Sequence, residues 1–208
     1  MQYGSQEEML VNLTILLLMM QEQVGFYLYT IHTVQDEMRN VKAVCKGRMA
    51  YGIRCFENAL ITLNYDLSSW NIVMKYLWEF TSSNNLEDCN IATAELIPEG
   101  LLESNEYDKD DFDRLTENEF FYLYNLYEKI DESINTVLTD IHWLGSSHAY
   151  SCIIGYGEGS LVSLVKLINT MIENNFPLPE PEPFLKFSIQ ENEGWGNTFD
   201  CKELSKIL

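Results

Sequence analysis

The chain has 208 residues, 46% of them hydrophobic, with 32 acids against 13 Lys and Arg, so its formal net charge is −19. Such a charge repels nucleic acid and anionic membrane, sets both aside as partners, and directs attention to basic protein surfaces. The apolar content, with 12 Tyr, 10 Phe and 4 Trp, excludes a disordered acidic tail and suffices for one folded domain.

From Glu7 to Met38 the apolar positions Leu10, Leu13, Leu17, Met20, Val24, Tyr27, Ile31, Val34 and Met38 recur in steps of three and four. That is the helical period, and it predicts a buried helix. Its apolar run Met9–Met20 is too short for a bilayer, which needs about 20 residues. Glu7 and Glu8 stand where a signal peptide would be basic, so a cytoplasmic location is expected. Arg39–Arg54 is the one basic stretch. A second helix is predicted over Arg48–Asn64, with Tyr51, Cys55, Ala59 and Leu63 on one face.

In Asp66-Leu67-Ser68-Ser69-Trp70 the acid and the hydroxyls are natural caps for a third helix, which carries Trp70, Val73, Leu77, Trp78 and Phe80 and stops near Ser82. A short helix is expected over Leu86–Leu96, ended by Pro98 and Gly100. Ser104–Asp113 reads as a loop. Thr116 and Glu119 then have the capping-box spacing, opening one long helix from Glu117 to about Leu144. A last helix is predicted over Leu161–Asn174. Pro177, Pro179, Pro181 and Pro183 enforce an extended run, and only Phe184–Ile189 has strand character.

These elements predict an all-α fold, an irregular bundle of six or seven helices. Residues 1–176 form the helical domain. Residues 177–208 form a Pro-rich linker and a tail docked on the same domain through Phe184, Phe187, Ile189, Trp195 and Phe199. Trp70, Trp78 and Trp143 sit in apolar helical patterns and are expected in the core. Cys45, Cys55, Cys89, Cys152 and Cys201 form no C-x-x-C pair, so free, mostly buried thiols are expected.

No motif specifies catalysis. Gly155, Gly157 and Gly159 precede a helix, but Glu158 repels phosphate and no Lys follows, so a tight turn is expected. Asp140-x-His142 and His148-x-x-x-Cys152 have ligand-like types, yet neither H-E-x-x-H nor a Glu-x-x-His pair occurs. Asp108, Asp110, Asp111 and Asp113 imitate the start of a calcium loop, but Leu115 and Thr116 occupy the place of the closing acid. Glu128, Asp131 and Glu132 read as a solvated face. No cofactor, metal or catalytic residue is therefore assigned.

The charge itself is uneven. Glu87–Glu119 holds twelve acids and two bases, net −10 in 33 residues. Solubility asks for a net charge of only about 2–8 in a small domain. Within the stretch, Glu103, Glu106, Asp108, Asp110, Asp111 and Asp113 surround Tyr107 and Phe112. Apolar anchors inside an acidic field suit a basic protein partner: charge steers the encounter and rings bury on contact.

Gly47-Arg48, Cys55-Phe56-Glu57, Trp70 and Leu77-Trp78-Glu79-Phe80-Thr81 form a pattern that resembles the all-helical immunity proteins of bacterial polymorphic-toxin and contact-dependent inhibition systems. The likeness spans Gly47–Pro98, about a quarter of the chain. It implies a protector that binds a cognate toxin, often a basic nuclease, and occludes its active site. It brings no catalytic residues, and its motif residues Arg48, Trp70, Trp78 and Glu79 are expected to be structural. Two other readings stay open: a helical metal-dependent hydrolase using carboxylates with His142 or His148, and an acidic DNA-mimic inhibitor.

Overall fold

The computed structural model describes residues 45–104, 106–147, 153, 157–184, 186–187 and 191–208. The helical period over Glu7–Met38, together with His32, His148, Cys152 and Gly155, lies outside the described residues. Among the described residues the fold is all-α, with seven α-helices, four short 3-10 turns and no strand.

Helix α1 (Cys45–Thr62) is the axis. Every residue from Cys45 to Leu60 is buried, on all faces of the helix, and α2 (Asn71–Ser82), α6 (Glu132–Ser146) and α7 (Glu158–Glu173) pack around it. Gly52 permits that closeness, because a Cβ there would lie 2.9 Å from Leu144 Cδ2 and 3.1 Å from Leu167 Cδ2. Burying α1 also buries its charges, and these must be matched by partners. The Lys46 ammonium donates to the Ser83 carbonyl at 2.8 Å. Arg48 donates to the Gly157 carbonyl at 2.7 Å and to Ser160 Oγ at 2.6 Å, joining α1 to the start of α7. Arg54 pairs with Glu57 one turn along the same helix.

The chain leaves α1 through Asn64, in the left-handed region at φ 56°. Asp66 then accepts the Ser68 amide and caps the 3-10 turn Leu67–Trp70 that runs into α2 (Asn71–Ser82). Trp70 is wholly buried, its ring edge-on to Phe56 and Tyr65. Helix α3 (Leu86–Glu95) is capped by Asn85, which accepts the Asp88 amide.

Two boundaries differ from the sequence reading by more than a turn. Pro98 begins a helix, α4 (Pro98–Glu103), instead of only ending one. Its missing N–H costs nothing in the first turn, where amides have no intrahelical acceptor. The long helix expected from Glu117 to Leu144 is two, α5 (Glu117–Tyr127) and α6 (Glu132–Ser146). Asp131 accepts the Ser133 amide at 2.9 Å and starts α6 afresh, so the chain turns where continuous periodicity suggested one rod. The Thr116–Glu119 capping box opens α5 as expected.

Helix α7 (Glu158–Glu173) packs on α6 and follows Gly157, whose φ of 66° suits a residue without a Cβ. A run without helix or strand over 177–180 leads to a 3-10 turn at Glu182–Phe184. This turn occupies the start of the expected strand; residues 185 and 188–189 of that segment lie outside the described residues. The remaining chain returns to the body. Phe184 and Phe187 are buried, Phe199 stacks on Phe187 at 4.1 Å between centroids, and the Phe199 amide donates to the Thr81 carbonyl at 3.1 Å. Trp143, expected inside, is 56% exposed on α6, because the helix's inward stripe runs through Ile134, Val137, Leu138, Ile141 and Leu144 instead.

Candidate protein-binding face

The acidic loop between α4 and α5 is held by three devices, all from outside its charged positions. The first is an anion nest: the Glu95 carboxylate, at the end of α3, accepts the backbone amides of Asp113, Arg114 and Leu115 at 2.7–3.1 Å. The second is Arg114, whose guanidinium is clamped between Asp88 and Glu79 and lies 5.6 Å from the Tyr76 ring centroid. Burial alone would lower the Arg114 pKa, but Glu79 and Asp88 outweigh it and hold the group above its ordinary value. The third is aromatic. Tyr107 stacks on Phe112 at 5.8 Å, Phe112 meets Phe120 of α5 edge-on at 5.0 Å, and the Tyr107 hydroxyl donates to the Leu115 carbonyl at 3.1 Å.

Phe112 is thus a correction. It was expected as an outward anchor but is only 8% exposed, because its ring serves the loop's own core. Tyr107 is half-buried in the same cluster. The carboxylates behave otherwise. Glu103, Glu106, Asp108, Asp110, Asp111 and Asp113 are all exposed, and the last five make no ion pair among the described residues. Lys109 is the only base among them. Asp108 does one further job: its Oδ1 accepts the Asp110 amide at 2.9 Å and its carbonyl accepts those of Asp111 and Phe112, folding 108–112 into a tight turn.

The acidity of Glu87–Glu119 therefore divides in two. Asp88, Glu95 and Glu119 are spent on architecture; the other nine acids are exposed. Burial pushes the Glu119 carboxyl up, but hydrogen bonds from Thr116 and Tyr76 prevail and hold it below its usual range. Tyr76, buried and facing that carboxylate, is pushed up to about 12.

Three of the four motif residues, Arg48, Trp70 and Trp78, are interior, and Glu79 is half-buried. Arg48 ties α1 to α7. Trp70 fills the core. Glu79 holds Arg114. The Trp78 indole N–H donates to Glu57 Oε1 at 3.1 Å. Glu57 itself, 0% exposed, is a hub that sequence reasoning missed. Besides Arg54 and Trp78 it accepts the Ser205 hydroxyl at 2.6 Å and the Lys206 amide at 2.8 Å. Nothing local in Cys55-Phe56-Glu57 distinguishes this acid from a solvent-facing one. Arg114 did leave a signal, as the sole guanidinium in the acidic stretch.

Asp140 and His142, paired in the sequence reading, turn to different partners, while His148 and Cys152 lie outside the described residues. Asp140 turns to Thr170 at 2.7 Å and to Lys166 at 2.8 Å, whereas His142 Nδ1 lies 3.3 Å from Thr93 Oγ1. Burial lowers the His142 pKa. Among the described residues no group of three or more His, Cys, Asp or Glu side chains is placed to hold a metal ion, and no helix is long and apolar enough to cross a membrane. Cys45, Cys55 and Cys89 are buried free thiols, and Cys201 is half-buried. No family model, curated protein or solved structure matches the chain.

Proposed function

We propose that this protein captures a cationic protein domain through the Glu103–Asp113 loop, in the manner the resemblance to immunity proteins implies: a cytoplasmic protector that blocks a cognate bacterial toxin, best fitted to a basic nuclease. The observation that carries the reading is the combination of exposed carboxylates, those of Glu106, Asp108, Asp110, Asp111 and Asp113 outside any ion pair among the described residues, with a backbone tied down by Glu95, Arg114 and the Tyr107–Phe112–Phe120 cluster. Charges held in a fixed array lose little freedom on binding and steer a partner whose own cleft is lined by Lys and Arg. A nuclease cleft built for phosphates offers that lining. The protein acts by occupying the cleft, without chemistry of its own.

The test replaces Asp108, Asp110, Asp111 and Asp113 with Asn, which keeps side-chain shape and the Asp108 acceptor used in the turn. Electrostatic steering raises association from about 10⁵–10⁶ to as much as about 10⁸ M⁻¹s⁻¹ at low salt. Against a basic nuclease domain that the parent protein inhibits, the fourfold variant should associate at least about tenfold more slowly, with a flatter salt dependence and an unchanged melting temperature. An association rate equal to the parent's would remove the loop from the interface.

A further inference from the structure

The segment Cys201–Leu208 crosses the α1–α2 face as a strap between two clefts. One, of about 870 Å³, has Trp78, Glu79, Cys201 and Leu208 among its walls. The other, of about 440 Å³, has Arg54, Asn58, Leu204 and Lys206 among its walls. The strap thus contributes walls to both clefts. Apolar contacts of Cys201, Leu204 and Ile207 hold it to the core, and polar side chains of the floor fix its register. Ser205 Oγ donates to Glu57 Oε1 at 2.6 Å, the Lys206 amide to Glu57 Oε2 at 2.8 Å, and the Lys206 ammonium to Asn58 Oδ1 at 3.0 Å.

The floor is preset by the body of the protein. Arg54 and Trp78 orient the Glu57 carboxylate, and Asn58 donates its Nδ2 to the Pro177 carbonyl at 2.8 Å, which turns its Oδ1 toward the ammonium. Three acceptor oxygens are thus aimed at a hydroxyl, a main-chain N–H and a lysine, the three donors of a Ser–Lys dipeptide. The strap packs Cys201, Leu204 and Ile207 against the core but leaves them half-buried, and its Lys202, Glu203, Lys206 and Leu208 are exposed. No residue of 201–208 is fully buried, and segments at the half-buried end of a structure open before its core helices.

We propose that this face of α1 and α2 is a peptide-binding groove, filled here by the chain's own Cys201–Leu208, and that in trans it takes a segment of a cationic protein bearing a hydroxyl residue, then lysine, then an aliphatic residue. The inference is independent of the acidic loop. Linkage to the chain gives the strap an effective concentration of about millimolar, so it masks the groove from weak competitors. A partner reaches the groove in proportion to the fraction of open strap.

The test uses the full chain with Ser205→Ala and Lys206→Ala in its own strap, and a fluorescent peptide of the parent sequence 198–208. Each lost charge-assisted hydrogen bond is worth about a factor of ten. The double variant should bind the parent peptide at least about tenfold more tightly than the unmodified protein does. A peptide carrying the same two substitutions should bind that variant at least about tenfold more weakly. Equal affinity for the two peptides, with helical content and cooperative melting intact, overturns the proposal. If the variant does not fold, hydrogen exchange of the unmodified protein decides instead. The Lys206, Ile207 and Leu208 amides should exchange at least about a hundredfold faster than those of α1; exchange of both only in a common unfolding event overturns the groove.

Discussion

Replacing Glu57 with Ala is the sharpest test of how the body holds together. The acid is wholly buried and the Arg54 side chain is 9% exposed, so solvent does little to screen their pairing. Removing one partner of such a pair costs about 3–5 kcal/mol, because the remaining charge stays buried. The Trp78 indole N–H also loses its acceptor, an unmet donor worth about 1–3 kcal/mol. Ser205 and Lys206 swing out to water and recover their hydrogen bonds, so they add little. Water entering the vacated space relieves part of the remainder, which places the loss near the low end, at about 4 kcal/mol. For a chain of this size each kcal/mol moves the midpoint by about 2–4 °C, so the melting temperature should fall by about 8–16 °C. Thermal and urea melts followed by circular dichroism measure it. Two companions sharpen the reading. Ser205→Ala leaves the Arg54–Glu57–Trp78 trio intact and should melt within about 3 °C of the parent. Arg54→Met combined with Glu57→Leu removes both charges and should recover most of the loss. A Glu57→Ala protein melting within about 3 °C of the parent would show that the pair is not the buried hub described here.

Three further outcomes follow from the packing and the titrating groups. Gly52→Ala should destabilise by about 1–2 kcal/mol in urea melts, since overpacking against Leu144 and Leu167 exceeds the gain in helix propensity, whereas Gly100→Ala meets nothing within 4 Å and should stabilise by about 0.5–1 kcal/mol. On the alkaline side, burial raises the Cys45 thiol from 9.0 to about 11, with Arg48 and Ser160 opposing more weakly. A raised folded value gives stability that is whole below 9.0 and is lost as pH climbs toward about 11, so Cys45→Ala should flatten the fall of unfolding free energy across that window. Glu95→Ala strips the acceptor from three loop amides; exchange at Asp113, Arg114 and Leu115 should quicken by at least about tenfold, and Glu95→Gln should restore part of the protection.

Helices with a strong local signal were legible in the sequence. The stop at Ser82, the Thr116–Glu119 box and the inward stripe of α6 all came from patterns a few residues long. The break at Asp131 was not, because Tyr127, Ile130 and Ile134 keep helical spacing straight through it and only the bond from the Ser133 amide to Asp131 reveals the restart. Trp143 shows the opposite limit. A large ring in an apolar pattern reads as core, yet its exposure depends on which side of α6 the neighbours α1 and α7 approach. The acidic loop was visible as a loop, but its anchors were not: Glu95 is 18 residues from the nearest amide it accepts, and Glu57 is 148 residues from Ser205. Charge alone does not announce whether a carboxylate will meet water or a buried donor.

The Glu95 nest has a consequence for how the face could change over time. Its grip falls on main-chain amides, which every residue but proline supplies, and the rings beneath the loop point inward. Side chains at 106, 110 and 111 can therefore be exchanged one by one while the loop keeps its path, whereas 108 must keep an oxygen for the Asp110 amide. A surface of that design lets its outer letters be rewritten while the frame that displays them stays untouched.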